Sequence, residues 1–246
     1  MKGILAKDGH IGYVDIPKCA STSMKELFLH LDYDENYLQS LPEKLTSHDF
    51  YQKRKKNIDD AEVKLLIIRD PVERFISAYH NRVCNHREIT QDKINKLPYI
   101  DRFRLKPIPN IHHFIKYFEK YRKIKTIHWH LRSIIELTQN NIEYFTHIYK
   151  INQLDECMML LSTLYGKEIA IRKLQRGKQS KPTIGVLNKR EIKKIIKLFE
   201  CDYKLLKDYY SAELIWKKWE LETKKPSRSP REIIKLFMRK LFFINK

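Results

Sequence analysis

The chain has 246 residues, 42% of them hydrophobic, and a net charge of +19 from 49 basic and 30 acidic side chains. That length suits one domain with a sizeable core plus a short appendage, and no apolar stretch approaches the roughly 18 residues that a membrane-spanning helix needs. Four cysteines, Cys19, Cys84, Cys157 and Cys201, form no CxxC pair, which argues against a disulfide framework or zinc site and for a reducing, cytoplasmic compartment.

Met1 to His10 has no apolar core of a signal peptide. Ile11 to Ile16 reads as a short strand and Pro17 to Thr22 as a loop. Ser23 to Leu31 reads as a helix, with Met24, Leu27, Phe28 and Leu31 at helical spacing. Val63 to Ile68 is a continuous apolar run, the pattern of a parallel strand buried on both faces. Asp70 and Pro71 then suit the N-cap and first position of a helix carrying Val72, Phe75, Ile76, Tyr79 and Val83. Two strand-to-helix units predict an α/β fold, three-layered α/β/α with a central, mainly parallel sheet.

From Glu88 to Asn110, prolines 98, 107 and 109 leave loop and short helix, an excursion suited to the acceptor side of a site. Ile111 to Tyr121 is predicted helical, Tyr144 to Tyr149 a strand, and Gln153 to Tyr165 a helix. Arg172 to Thr183 is a basic loop. Lys189 to Phe199 is an amphipathic helix whose pattern continues towards Glu222. Residues 1–222 thus form one domain, 223–230 a linker and 231–246 a basic amphipathic helix. The last carries Ile233, Ile234, Phe237 and Leu241 on one face, among Lys235, Arg239, Lys240 and Lys246. Such a segment either lies peripherally on an anionic membrane or packs on the domain or a second subunit.

Two loops carry the chemistry. Pro17-Lys18-Cys19-Ala20-Ser21-Thr22-Ser23 joins a strand to a helix, whose free N–H groups and positive dipole end suit an anion. Ala20 and Ser21 let the backbone come close to a phosphate, Ser21, Thr22 and Ser23 offer hydroxyls, and Lys18 adds a full charge. The Walker order of glycines and GK[ST] is absent. Arg69-Asp70-Pro71-Val72-Glu73-Arg74-Phe75-Ile76-Ser77-Ala78-Tyr79 follows the buried strand. It places Arg69, whose planar fork suits phosphate, at the carboxyl end where α/β sheets present ligand residues. Ser77 lies two turns further on.

In order and separation, IPKCASTSM and RDPVERFISAY resemble the carbohydrate sulfotransferases, in the branch of the Golgi chondroitin and dermatan enzymes and the heparan sulfate uronosyl enzymes. The chain reads as a bacterial member, and Ala20 stands where many members carry glycine. The resemblance covers roughly residues 11 to 210 and includes Ile127-His128-Trp129. It implies a PAPS-dependent enzyme (3′-phosphoadenosine 5′-phosphosulfate as donor, PAP as product) that sulfates a carbohydrate hydroxyl without a metal. It puts Lys18, Cys19, Ala20, Ser21, Thr22 and Ser23 at the 5′-phosphosulfate and Arg69 and Ser77 at the 3′-phosphate. It also puts Lys178 and Ser180, with Lys181, in a late loop closing over the donor.

In-line attack by a sugar hydroxyl also calls for a base, and histidine ionises near working pH. The resemblance favours His48, which falls between the two phosphate motifs, with His128 as second candidate. Asp49 is adjacent to His48, but neighbouring side chains usually point apart, so it is not expected to orient the ring. His112, His113 and His130 have no comparable claim. His80, Cys84 and His86 lack a fourth ligand, and no metal site is predicted. Two rival readings remain: a P-loop kinase-like enzyme, and a non-enzymatic binder of nucleic acid or acidic glycan. The second accounts for the charge but not for two phosphate motifs at strand–helix junctions. Specific nucleic-acid binding is not expected.

Overall fold

The computed structural model describes residues 1–43, 45–170 and 182–223. Residues 224–230 of the linker, residues 231–246 and the loop with Lys178, Ser180 and Lys181 lie outside the described residues, and Thr223 ends the last described helix.

The sheet starts earlier than the sequence patterning suggests. β1 (Lys2–Ala6) and β2 (Ile11–Val14) form an antiparallel hairpin around Asp8 and Gly9, both at positive φ. Helices α1 (Ser21–Asp32), α2 (Glu35–Ser40) and α3 (Ser47–Gln52) precede a two-residue strand β3 (Lys56–Asn57) on the outer edge of β1. β4 (Val63–Ile68) runs parallel to β2, and β5 (His147–Lys150) parallel to β4, giving the order β3-β1-β2-β4-β5. The central strands are therefore parallel, as expected of an α/β fold, and an antiparallel hairpin extends one side. Leu65, Leu66, Ile67 and Ile68 are all fully buried, as a strand covered on both faces requires. β2 is packed so tightly that a Cβ on Gly12 would stand 2.7 Å from Ile58 Cβ.

After β4 comes α4 (Pro71–Ala78), which runs directly into a π-helical turn over Tyr79–Asn85. The excursion that follows holds α5 (Gln91–Asn95) and α6 (Tyr99–Arg102). It is clipped at both ends to the π turn: Arg82 Nη1 donates to Glu88 Oε1 at 2.7 Å and the Tyr79 hydroxyl to Pro109 O at 3.0 Å. The helix predicted over Ile111 to Tyr121 is broken at Tyr117 into α7 (Ile111–Lys116) and α8 (Phe118–Tyr121). α9 (Lys125–Leu131) and α10 (Ile134–Leu137) lead to β5. That strand begins three residues later than predicted. Asn141 Oδ1 accepts from Tyr144 N at 3.0 Å, and the Tyr144 hydroxyl donates to Asp59 at 2.6 Å, so Tyr144 and Phe145 belong to a turn.

α11 (Leu154–Tyr165), α12 (Lys189–Leu198), α13 (Glu200–Leu205) and α14 (Ala212–Thr223) complete the described chain. α12 begins with a capping box, Asn188 and Glu191 each accepting from the other's backbone N–H. Two apolar cores result. One joins the sheet to α1, α3 and α11; the other is wholly helical, centred on Phe75, Phe114, Phe118 and Ile195 of α4, α7, α8 and α12.

Candidate active site

Because β2 and β4 are parallel neighbours, with Val14 opposite Leu66, the loops leaving them emerge at one edge of the sheet. That edge is where open α/β sheets bind ligands. The Pro17 loop is anchored by two fully buried residues, Ile16 and Cys19, with Cys19 N bonded to Ile16 O at 3.2 Å. Between and after them Lys18 (φ 71°) and Ala20 (φ 57°) adopt the left-handed conformation. Alternating handedness of this kind turns successive N–H groups into one concavity, an anion nest. α1 begins immediately, with Ala20 as N-cap and no side chain capping it, so its first N–H groups are not claimed by the protein's own cap. Ser21, Thr22 and Ser23 are half-buried around this end. Lys18 Nζ donates to Asn81 Oδ1 on the π turn.

Across the edge, Arg69 follows β4. Its Nε is buried without a hydrogen-bond partner, 3.6 Å from Glu73 Oε2, and Glu73 is shared with Lys218. Asp70 does not face the edge. Its carboxylate caps α4, accepting from Val72 N at 2.9 Å and Glu73 N at 3.2 Å, and takes the Tyr203 hydroxyl at 3.0 Å. Burial pushes its pKa up to about 6 against those hydrogen bonds. Arg74, only 1% exposed, turns inward and donates from Nη1 to Arg132 O at 3.0 Å. The second arginine of the motif is thus structural and pins the end of α9. Ser77 is half-buried on α4. Cys19 joins the two motifs: burial pushes its thiol up to about 11, while Arg74, Arg69 and Lys18 all act on it in the opposite sense.

His48 sits in the first turn of α3, with Nδ1 3.0 Å from Lys25 Nζ. Lys25 is buried on α1 and forms an ion pair at 2.8 Å with Asp15, the residue after β2; Lys55 reaches the same carboxylate. Asp49 is turned away, accepting from the Thr46 hydroxyl at 2.7 Å, so it does not orient the ring. Burial, and after it the charge of Lys25, holds His48 below the usual histidine range.

His128 is exposed on α9, lining a surface hollow with Glu119, Arg122, Lys123 and Lys125. Two residues on, His130 faces the other way. Its Nδ1 is buried without a hydrogen-bond partner, and burial, reinforced by Arg82, Lys18, His48 and His86, holds it down to about 3. The structure therefore brings Lys18, His48 and His130 into one electrostatic neighbourhood and leaves His128 outside it. Sequence reasoning missed His130, Asn81 and Lys25. Asn81 gave no signal, because the π turn shifts the helical register. Lys25 did give one, as a charged residue next to Met24 in the apolar stripe of α1.

Among the described residues no cluster of His, Cys, Asp or Glu is arranged to hold a metal, and no helix is long and apolar enough to cross a membrane. No curated protein and no solved structure matches the chain. Among protein families, the one described as the sulfotransferase family matches residues 3–211, which takes in both strand-to-helix loops, His48 between them and the sheet from the second residue of β1 onward. The chain belongs to the sulfotransferase family.

Proposed function

We propose that this enzyme transfers the sulfuryl group of PAPS to a hydroxyl of a carbohydrate by in-line displacement. The observation that carries the reading is the juxtaposition at one sheet edge of an uncapped loop-to-helix nest bearing Lys18 and a half-buried arginine, Arg69, whose buried Nε has no hydrogen-bond partner. Two anion sites on adjacent parallel strands suit a ligand with two separated anionic groups, as the 5′-phosphosulfate and 3′-phosphate of PAPS are.

In this reading the N–H groups at Ala20 and the start of α1 and the hydroxyls of Ser21, Thr22 and Ser23 hold the 5′-phosphosulfate, Cys19 anchors the loop from the core, and Lys18 neutralises the bridging oxygen as the S–O bond breaks. Asn81 aims Lys18. Arg69 and Ser77 hold the 3′-phosphate, and Lys178 and Ser180 close over the donor. His48 takes the acceptor proton as the new S–O bond forms; His128, the second candidate from sequence, lies outside this neighbourhood. PAP leaves, and no metal takes part. We place the enzyme in the cytoplasm, with residues 231–246 as its contact to an anionic membrane surface; co-sedimentation with anionic liposomes, lost on truncation at Lys225, tests that contact.

The test of function is incubation with labelled PAPS and a panel of glycan acceptors, with products read by mass spectrometry. Thermal protection by PAP but not by ATP is expected, since a ligand that binds only the folded state stabilises it. Protection by ATP alone, or salt-sensitive binding of nucleic acid without any response to PAP, would reject the proposal.

A further inference from the structure

The contact between His48 and Lys25 constrains how this histidine can work. Lys25 lies on α1, 3% exposed, with Nζ 2.8 Å from Asp15 and 3.0 Å from His48 Nδ1. An ammonium group has three donors and no acceptor. The ring nitrogen facing it must present its lone pair, so the proton of the neutral imidazole sits on Nε2. A nitrogen that already carries a proton cannot take another. In this arrangement His48 has one basic atom, Nδ1, and Lys25 occupies it.

We propose that Lys25 is a positioning residue: it fixes His48 as the Nε2–H tautomer through Nδ1, and His48 becomes a base only when Lys25 withdraws onto Asp15. The inference deepens the proposed function and rests on it for the role of His48 as base. In the step, the acceptor hydroxyl gives its proton to Nδ1 while its oxygen bonds to sulfur and the S–O bond to PAP breaks. His48 becomes an imidazolium, and Lys25 stays an ammonium paired with Asp15, so its release leaves no buried charge without a counter-ion. Two adjacent cations then favour loss of the proton to solvent, which resets the site.

The groups around His48 make this arrangement asymmetric. Lys25 from α1 and Lys55 beyond α3 oppose its protonation; Asp15 beyond β2 and Asp49 within α3 favour it; His130 of α9 is a neighbouring imidazole. Burial would raise the Asp15 carboxyl, yet Lys25 and Lys55 together outweigh it and keep Asp15 ionised. Any cation this close depresses the titration of His48, so it is the tautomer that separates a positioning Lys25 from one that merely ties α1 to the sheet edge.

The experiment is a nitrogen NMR titration of the full chain, labelled at histidine, without donor or acceptor. Wild-type His48 is expected to show an unprotonated, hydrogen-bonded Nδ1 and a protonated Nε2. In Lys25→Met its titration should move to higher pH and its nitrogen shifts towards an exchanging mixture of tautomers, whereas Lys25→Arg should keep the wild-type pattern. A wild-type ring protonated at Nδ1 overturns the proposal with no variant needed, so a failure of Lys25→Met to fold does not protect it. A titration unmoved in folded Lys25→Met overturns it equally. Kinetics separates this from the reading it rests on. His48→Ala should lower turnover by about 10²–10⁴, the usual worth of a general base, and the acid limb of kcat/KM should follow the NMR titration upward in Lys25→Met. A limb that stays put while the NMR titration moves rejects His48 as the base, and with it the displacement step, but leaves the tautomer assignment standing.

Discussion

The two strand-to-helix junctions are alike in sequence logic and opposite in construction. At the first, the chain leaves β2 through two left-handed residues and enters α1 with no side-chain cap. At the second, it leaves β4 and enters α4 under a double cap from Asp70, reinforced by Tyr203. Both helix ends carry the same kind of partial positive charge, and Pro71 leaves α4 with one N–H fewer than α1. One leaves its N–H groups to a ligand; the other satisfies them from within. The first junction therefore offers backbone as well as side chains to an anion, the second side chains alone. A strand–helix loop with a basic residue is not by itself a phosphate site. What the residue before the helix does with its own side chain decides it.

Removing the side chain at the first junction should have the largest effect. Lys18→Ala is expected to lower turnover by about 10²–10³ while PAP still binds, because a donor aimed at developing charge is lost and the backbone nest remains. Wild-type turnover would reject the role.

At the second junction the effect falls on stability. The folded Asp70 binds its proton more tightly, at about 6 against the ordinary 3.8. Its favourable contribution is thus fully present below about pH 4 and is lost as pH rises through about 6, and it amounts to roughly 3 kcal/mol at most. Asp70→Asn keeps an oxygen for the cap but cannot ionise. The stability difference between variant and wild type, from urea unfolding at pH 4 and pH 7, should therefore grow in the variant's favour with pH. A difference that stays flat would mean that the carboxylate is not strained by burial.

Arg69→Ala comes next. It should weaken PAP binding by roughly 1.5–3 kcal/mol, the worth of a hydrogen bond to a charged group, with Ser77→Ala weaker still. Calorimetry showing unchanged affinity for Arg69→Ala would remove it from the site.

How much of this was legible beforehand follows from which interactions are local. The uninterrupted VKLLII run predicted β4 with its observed bounds, and Asp70-Pro71 predicted the start of α4, because burial of both strand faces and capping leave their mark on adjacent residues. β1 was missed although Asp8-Gly9 is a turn signal; five residues with a glycine carry too little periodicity. The loop positions of Lys18 and Arg69 were readable from motif order. The Asn81–Lys18 contact spans 63 residues and the Lys25–His48 contact 23, and nothing in either local pattern encodes them. The choice among histidines shows the same limit. His128 and His130 are two apart on α9, so the helix turn separates one towards solvent and the other towards Lys18.

The smallest effect tests the geometry of the first junction without touching its charges. An L-residue held in the left-handed region costs about 1–2 kcal/mol, which a glycine does not incur. Glycine also loosens the unfolded chain, which returns about 0.4–1 kcal/mol in the opposite direction. Ala20→Gly should therefore stabilise the fold by no more than about 1.6 kcal/mol, a rise in Tm of at most about 6 °C for a domain of this size, and should leave PAP affinity unchanged. Lys18→Gly should be more stable than Lys18→Ala by a similar margin, yet equally poor in turnover, since both lack the ammonium group. The pair of glycine variants separates what the loop costs from what it does: strain resides in the backbone at two positions, and the chemistry in one side chain. A loss of stability in Ala20→Gly would show that Ala20 is not held left-handed, and the nest that distinguishes this junction from the capped one would lose its geometric basis.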